Sequence, residues 1–426
     1  MNKSQSNIAT QIDHLFRQEH GKLIAVLTKT FGTSNIDLAE DVVQEAIVEA
    51  LKKWTDNEIP DNPVGWIYKV AKHKAVNILN KEKYKREYAS EVAHHLQSEW
   101  TLEPALKHIF TDKEIADDQL RMIFTCCHPV LSTDSQVALT LKTLCGFSIP
   151  EIAKAFLTTE GNINKRLVRA RKTIKEANIP FEVPSGSQLE PRLSSVLETI
   201  YLLFNEGYNS TSDDSLIRKE LCEEAIRLTE IIIQNPSINS SNAHALLALM
   251  LFNTARFSSR LDELSNTISL EHQDRSKWDQ EMIKKGLTHL AFAAEQKEIS
   301  IYHLLATISA QHCTAATFES TDWKGILALY DMLLEIDDSP IIQLNRIIVL
   351  SKISGAKAAI EQLKRIENHS SLNTYLPYFT SSAELYFQDN QPKKAIELLE
   401  KALELQIGDS RKSLISKRIK SYSENI

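Results

Sequence analysis

Residues 147–175, FSIPEIAKAFLTTEGNINKRLVRARKTIK, predict two short helices joined by a turn. Apolar residues recur at helical spacing in the first helix, and Thr158 or Thr159 can cap the second. In the second helix the apolar residues form one stripe: Ile163, Leu167, Ala170 and Ile174. One apolar face that packs on the first helix, with a polar face opposite it, is what a helix-turn-helix that reads DNA requires.

The second predicted helix carries its basic residues only after the short polar turn. In a helix-turn-helix bound to DNA, the residues that follow the turn face the phosphates and the base edges. The pattern therefore favours a helix that binds nucleic acid over the alternative, a solvated basic surface helix. The candidate DNA-binding residues of this helix are Asn162, Asn164, Lys165, Arg166, Arg169, Arg171 and Lys172.

Composition favours an all-α fold, because the 426 residues include only 11 Gly and 12 Pro and are rich in Ala, Leu, Ile, Glu and Lys. No apolar run approaches the roughly 20 residues of a membrane-spanning helix, and the N-terminus is polar. We therefore expect a cytoplasmic protein without a membrane partner. The five cysteines lack metal-ligand spacing, so we expect free buried thiols and neither a metal nor a cofactor.

The net charge of −7 is unevenly distributed. Residues 1–180 hold 24 Lys and Arg against 23 Asp and Glu, whereas residues 181–426 hold 25 against 33. An acidic total is compatible with DNA binding when positive charge is concentrated locally, because counterion release depends on the side chains at the phosphates.

An acidic amphipathic helix is predicted at residues 37–54, DLAEDVVQEAIVEALKKW. Its apolar positions repeat every four residues: Leu38, Val42, Ala46, Ala50 and Trp54. Its other face is acidic, and from this segment alone a solvated surface helix is an adequate explanation.

A basic helix follows at residues 62–87, NPVGWIYKVAKHKAVNILNKEKYKRE. Its aromatic residues alternate with lysines, a mixture that suits single-stranded nucleic acid because bases stack on rings while ammonium groups follow the backbone. Trp66 also fits a place in the core. The candidate DNA-binding residues here are Lys69, Lys72, Lys74 and Lys81.

The chain resembles the extracytoplasmic-function (ECF) class of sigma-70 family RNA polymerase sigma factors. The resemblance lies in the order of its elements: an acidic helix, then a basic helix with Trp, then a helix-turn-helix. The resemblance implies that residues 37–54 bind core polymerase, that 63–86 recognise and melt the promoter −10 element, and that 116–177 read the −35 element. The implied polymerase-binding residues are Asp37, Asp41, Gln44 and Glu45. Asn77 replaces an acidic residue of the family's usual basic helix, so −10 specificity does not carry over.

The predicted domains are sigma domain 2 at 1–88, a polar linker at 89–115, sigma domain 4 at 116–178 and a C-terminal helical domain at 190–426. In the C-terminal domain, the pattern Ala359-Ile360 with Leu363 recurs 36 positions later, and a related pattern lies 33 positions earlier. These spacings bracket that of tetratricopeptide (TPR) arrays, and a non-repetitive bundle is the alternative. This part also resembles the TPR-like C-terminal extension of one sigma factor subgroup.

The leading interpretation is a promoter-specificity subunit that is not an enzyme. Its partners would be core RNA polymerase, promoter DNA through the −10 and −35 elements, and a protein or peptide on the C-terminal repeats. The repeats would either mask the DNA-binding helices or hold the sigma domains as a scaffold. A stand-alone helix-turn-helix regulator with a TPR-like sensor is the alternative, and a hydrolase at Cys127 and His128 lacks the supporting catalytic groups.

Overall fold

The computed structural model describes residues 19–54, 60–87, 112–156, 158–208, 219–260, 268–296, 299–405 and 407–424. These residues form helices and connecting turns, without a strand, which confirms the all-α prediction. The chain divides into two compact units, Met1–Leu203 and Phe204–Ile426. Among the described residues, no helix combines the length and the apolar character that crossing a membrane requires.

The first half of unit 1 consists of helix α1 (19–31), a short 3-10 turn (Thr33–Asn35), α2 (Ile36–Lys53) and α3 (Pro63–Glu87). Helix α2 packs on α3, as its predicted apolar face requires, and Val42, Ala46 and Ala50 are buried. The predicted linker at 89–115 lies largely outside the described residues.

The second half of unit 1 continues with α4 (Asp112–Cys126), α5 (Thr133–Thr143), α6 (Ile149–Ala155) and α7 (Glu160–Glu176). A capping box of Ser148 and Glu151 begins α6, and the Thr159 side chain accepts a hydrogen bond from the Asn162 backbone to begin α7. The Thr159 cap fixes the residue at which α7 begins after the turn, as expected for the second helix of a helix-turn-helix.

Helix α8 (Leu189–Tyr208) is attached to α4 and α5 by polar contacts. Arg192 Nη2 donates to the Phe124 carbonyl at 2.7 Å, and Ser195 Oγ donates to the Cys127 carbonyl at 2.9 Å. Thr199 Oγ1 lies 2.8 Å from Gln136 Oε1. These contacts belong to unit 1, which extends to Leu203 within α8.

Unit 2 continues with α9 (Lys219–Gln234), α10 (Ser241–Thr254), α11 (Gln280–Ala293) and α12 (Ile301–Thr314). Helix α11 begins with a cap, in which Asp279 Oδ1 accepts a hydrogen bond from the Met282 backbone N–H at 2.9 Å. Nearby, Arg275 stacks on Trp278, with 4.6 Å between guanidinium carbon and ring centre.

The remaining helices are α13 (Trp323–Ile336), α14 (Pro340–Ile366), α15 (Leu376–Gln388), α16 (Pro392–Leu403) and α17 (Asp409–Ser423). Gly355, with φ of 82°, breaks α14 in two. Three successive helix pairs therefore begin with α13 at residue 323, with the second half of α14 at residue 356 and with α16 at residue 392. These starting points are 33 and 36 residues apart. Ala359, Leu363, Ala395 and Leu399, which recur at the predicted spacing of 36, share one buried cluster.

Candidate polymerase and nucleic-acid interfaces

Helix α7 presents the two faces that its sequence predicts. The apolar stripe from Ile163 to Ile174 is buried. On the opposite side Asn162, Asn164, Lys165, Arg169 and Lys172 are exposed. Val168 lies among them with 63% of its surface exposed, which the sequence prediction did not single out. The sequence does indicate this exposure, because Val168 lies three positions after Lys165 and four before Lys172, and residues at these spacings share one face of a helix.

Three of the seven candidate DNA-binding residues on α7 form ion pairs within unit 1, and the pair of Lys172 with Glu176, at 3.7 Å, lies within α7 itself. Arg166 Nη2 lies 3.0 Å from Asp134 Oδ2. Arg171 turns toward α2, where Nε lies 2.8 Å from Asp37 Oδ1 and Nη2 lies 2.6 Å from Glu40 Oε2. Residues predicted for two different interfaces, Asp37 for polymerase and Arg171 for DNA, therefore contact each other in this conformation.

The exposed face of α2 combines polar and apolar side chains. Asp41, Gln44 and Glu45 are exposed as predicted. Val48 and Leu51 extend the same face and are 47% and 53% exposed. The sequence prediction omitted Val48, although it follows Gln44 by four positions. A mixed face of this kind suits a protein interface whose apolar centre has a polar rim.

Lys74 of α3 contacts α2. Its Nζ lies 3.1 Å from Glu45 Oε2 and 3.4 Å from Glu49 Oε2. The hydrogen bond to Glu45 raises the pKa of Lys74, and the hydrogen bond from Lys53 lowers the pKa of Glu49. Lys69 is exposed and Lys72 is half-buried, whereas the side chain of Lys81 lies outside the described part of α3.

Trp66 packs edge-to-face against Trp54, with 5.4 Å between ring centres, and Lys53 Nζ lies 5.7 Å from its ring. Of the other aromatic residues predicted to alternate with the lysines, Tyr68 donates to Glu19 Oε2 at 3.0 Å. Trp66 therefore contributes to the packing of α3 on the end of α2.

Glu40 joins the two halves of unit 1. It is 4% exposed, and its Oε1 accepts from Thr143 Oγ1 at 2.9 Å while its Oε2 accepts from Arg171. Both carboxylate oxygens are therefore satisfied, as a buried charge requires. The sequence prediction grouped Glu40 with the exposed acidic face of α2.

Further contacts join the same two halves. Lys29 Nζ lies 2.5 Å from Glu114 Oε2 and 3.3 Å from Asp118 Oδ1. Burial raises the pKa of Asp118 despite that lysine. His20 is buried near Lys142, and burial is the main reason that its pKa falls to about 4. Neutral His20 is thus compatible with this junction at neutral pH.

Cys127 and His128, the residues of the hydrolase alternative, lack a reactive environment. Burial raises the pKa of Cys127 to about 11 and lowers the pKa of His128 to about 4. The thiol is therefore protonated at neutral pH, and a protonated thiol is a poor nucleophile. All five cysteines are free and buried, as predicted. Within the described ranges no three His, Cys, Asp or Glu residues lie together as metal ligands would.

Three known families match successive parts of the chain. Sigma-70 region 2 matches residues 15–84, which include α2 and α3, and sigma-70 region 4 matches residues 121–174, which end in α7. A family of unknown function (DUF6596) matches residues 192–294. A stand-alone regulator has no need of region 2, so these matches disfavour that alternative.

Individual relatives agree with the family matches. An uncharacterized protein (R00370) of Rhizobium meliloti (strain 1021) is 34% identical over 331 residues, which cover 78% of this chain and 77% of that protein. The ECF RNA polymerase sigma-E factor of Escherichia coli (strain K12) is 30% identical over 135 residues, 32% of this chain and 70% of that protein. The sigma-E factor of Haemophilus influenzae is 25% identical over 169 residues, 39% and 87% of the two chains. The chain belongs to the ECF class of sigma-70 family RNA polymerase sigma factors.

Proposed function

We propose that this sigma factor binds core polymerase through the exposed face of α2, opens the −10 element with α3 and reads the −35 element with α7. The observation that carries the proposal is that one unit presents both a mixed acidic and apolar face and an exposed basic helix behind a capped turn. Sigma factor families are not enzymes, so the bound polymerase makes the phosphodiester bonds. We place its action in the cytoplasm, where polymerase transcribes.

A reconstituted transcription reaction tests this function. Core polymerase plus the purified chain is expected to initiate at discrete sites on a genomic library of DNA fragments, and core polymerase without the chain is not. If the chain binds duplex DNA yet leaves the start sites of core polymerase unchanged, the stand-alone regulator is the correct alternative and the proposal is wrong.

On α7, Lys165 and Arg169 are the best placed of the candidate residues to contact the −35 duplex, because both are exposed on the polar face. Lys172 extends the same face. A lost phosphate contact weakens binding to all sequences alike, whereas a lost bidentate base contact costs about 1–3 kcal/mol and relaxes one position. Arg166 is paired with Asp134 and contributes to DNA only if that pair opens.

Val168 is expected to contact a thymine methyl group in the −35 element, because it is the exposed apolar side chain in the middle of the basic face. Replacing that thymine with deoxyuridine removes one methyl group, which is worth about 0.8 kcal/mol, or about fourfold in affinity. Wild-type protein should lose this affinity at one position of a selected −35 duplex. The measurement is competition binding with deoxyuridine at each thymine in turn.

The Val168→Ala variant supplies the control for this prediction. It should bind thymine and deoxyuridine duplexes equally, since the partner of the methyl group is gone. Its helix content should match that of the wild type, because the side chain is exposed. Equal losses in the two proteins would show that the methyl group acts through DNA shape and that Val168 does not contact it.

We also propose that unit 2 regulates or scaffolds the sigma domains and binds a protein or peptide on its repeats. The supporting observation is the array of paired helices from α13 to α17, since stacked pairs of this type create extended binding surfaces. Its acidic charge balance would favour a basic partner.

A further inference from the structure

We infer that the last helix, α17, binds the phosphate backbone of duplex DNA through its exposed face, in addition to the DNA contacts proposed for α3 and α7. This terminal basic face consists of Lys412, Ser413, Ser416, Lys417 and Lys420, all of which are exposed. It lies in unit 2, for which the sequence predicts only a protein or peptide partner. The contact is independent of the proposed promoter recognition, which uses helices of unit 1.

Charge is divided unevenly along the C-terminal half of the chain. Residues 181–350 hold 13 Lys and Arg against 24 Asp and Glu, whereas residues 351–426 hold 12 against 9. The first of these segments therefore repels the phosphates of DNA, and the second attracts them. A polyanion that approaches unit 2 is expected to contact it through its last helices.

Helix α17 combines cations with serines and has no acidic residue over most of its length. Residues 410–423 include five Lys or Arg, five Ser and no Asp or Glu. The inner side of the helix is occupied by packing, because Tyr422 is buried and stacks on Phe387 with 3.8 Å between ring centres. Arg418 belongs to this side as well, since it donates to Glu384 and to Tyr422. The lysines are left to the outer side.

The lysines of the terminal basic face form no ion pair with any residue that the structure describes. Glu424 follows Lys420 by four positions, but these two side chains do not pair either. The last helix of an array needs only a polar outer side for solubility. Helix α16 has such a side, because its exposed Lys393, Glu397 and Lys401 alternate in sign at spacings of four. Solubility therefore does not explain why α17 lacks the alternation.

The composition of the terminal basic face matches contacts to phosphate. Lys and Ser side chains donate to phosphate oxygens without reading the base sequence. Both residue types are depleted in protein interfaces, and α17 exposes no large apolar side chain that a protein or a lipid surface would bind. It also exposes no aromatic ring on which the bases of a single strand could stack. These features favour the backbone of a duplex, and duplex DNA is the one that a sigma factor meets.

The spacing of the lysines fits a single position on the duplex. Lys412 and Lys420 are eight residues apart in sequence, which corresponds to about 12 Å along a helix. The major groove of B-DNA is also about 12 Å wide. The two lysines would therefore reach phosphates on both sides of one groove, with Lys417 between them.

Binding of the full-length protein to a duplex of random sequence, measured by fluorescence anisotropy at several salt concentrations, tests this contact. The triple variant Lys412→Ala, Lys417→Ala and Lys420→Ala should reduce the slope of log affinity against log salt by about 2.7, since each phosphate contact contributes about 0.9. At about 0.1 M salt its affinity should be about tenfold lower or less. Its helix content should match that of the wild type, because the positions are exposed and alanine favours helix.

The matched control replaces Lys284, Lys285 and Lys324 with Ala, which makes the same change in net charge at exposed positions elsewhere in unit 2. This control should bind the duplex like the wild type. If the two triple variants bind alike, the terminal basic face is not a DNA contact.

Two further probes separate DNA from other polyanions: vesicles of phosphatidylcholine with phosphatidylserine, and a single-stranded RNA. If the α17 variant loses binding to either probe but keeps its affinity for the duplex, the face serves a membrane or RNA and its assignment to DNA is refuted. Because these measurements use neither polymerase nor a promoter, their failure would leave the proposed function intact.

Discussion

Reversing Asp41 and Glu45 to Lys is expected to weaken binding of core polymerase about 100-fold or more, since opposing like charges at an interface cost several kcal/mol. Both side chains are exposed, so the fold should be retained. Glu45 also pairs with Lys74, but a surface pair of this kind contributes only about 0–1 kcal/mol. Fluorescence anisotropy of the labelled sigma factor, titrated with core polymerase, measures the change in affinity.

A matched double variant separates local charge from total charge. Glu190→Lys with Glu198→Lys makes the same change in net charge on exposed positions of α8 and should bind core polymerase like the wild type. If the α2 variant also binds normally, α2 is not the polymerase interface. If both variants lose binding equally, the long-range charge of the protein controls the association, and the mixed face of α2 has no special role.

Local periodicity was sufficient to predict much of this molecule. The burial of Ile163, Leu167, Ala170 and Ile174 follows from a 3.6-residue repeat in a helix that packs on one side. The same holds for the spacing of the C-terminal helix pairs, because each repeat must bury the same positions against its neighbours. Predictions of this kind depend on residues that are close in sequence.

Glu40 shows where such reasoning ends. Glu40 lies at the border of the buried face of α2, four positions after Ile36 and three before Val43. As a carboxylate between the exposed Asp37 and Asp41, it is nevertheless expected to be solvated. It is buried because Thr143 and Arg171, more than 100 residues away, cover it. For the same reason the sequence could group Arg166 and Arg171 with the other basic residues of α7 but could not show that both form internal ion pairs.

The second large effect is expected on the stability of a truncated protein, which should depend on the residue at which the chain ends. A chain that ends at Glu190 lacks the buried side chains of α8, which include Leu193, Val196, Leu197 and Ile200. Burying each contributes about 1.5–3 kcal/mol, so their sum approaches the 5–15 kcal/mol that typically holds a domain folded. The shorter chain should therefore be largely unfolded in the region of α4 and α5. Thermal unfolding followed by circular dichroism would measure this.

A chain that ends at Tyr208 retains all of α8, including the bonds from Arg192 and Ser195 to α4, and should unfold cooperatively. If the two truncated chains melt alike, the packing of α8 on unit 1 is not needed for stability.

The chain that ends at Tyr208 also tests the role of unit 2, because its DNA-binding part stays folded. Promoter activity that rises above the full-length level would show that unit 2 masks DNA. We expect activity to be lost, because a scaffold would supply the support that separated sigma regions need on polymerase. Unchanged activity would contradict both roles and leave unit 2 as a tethered binding platform.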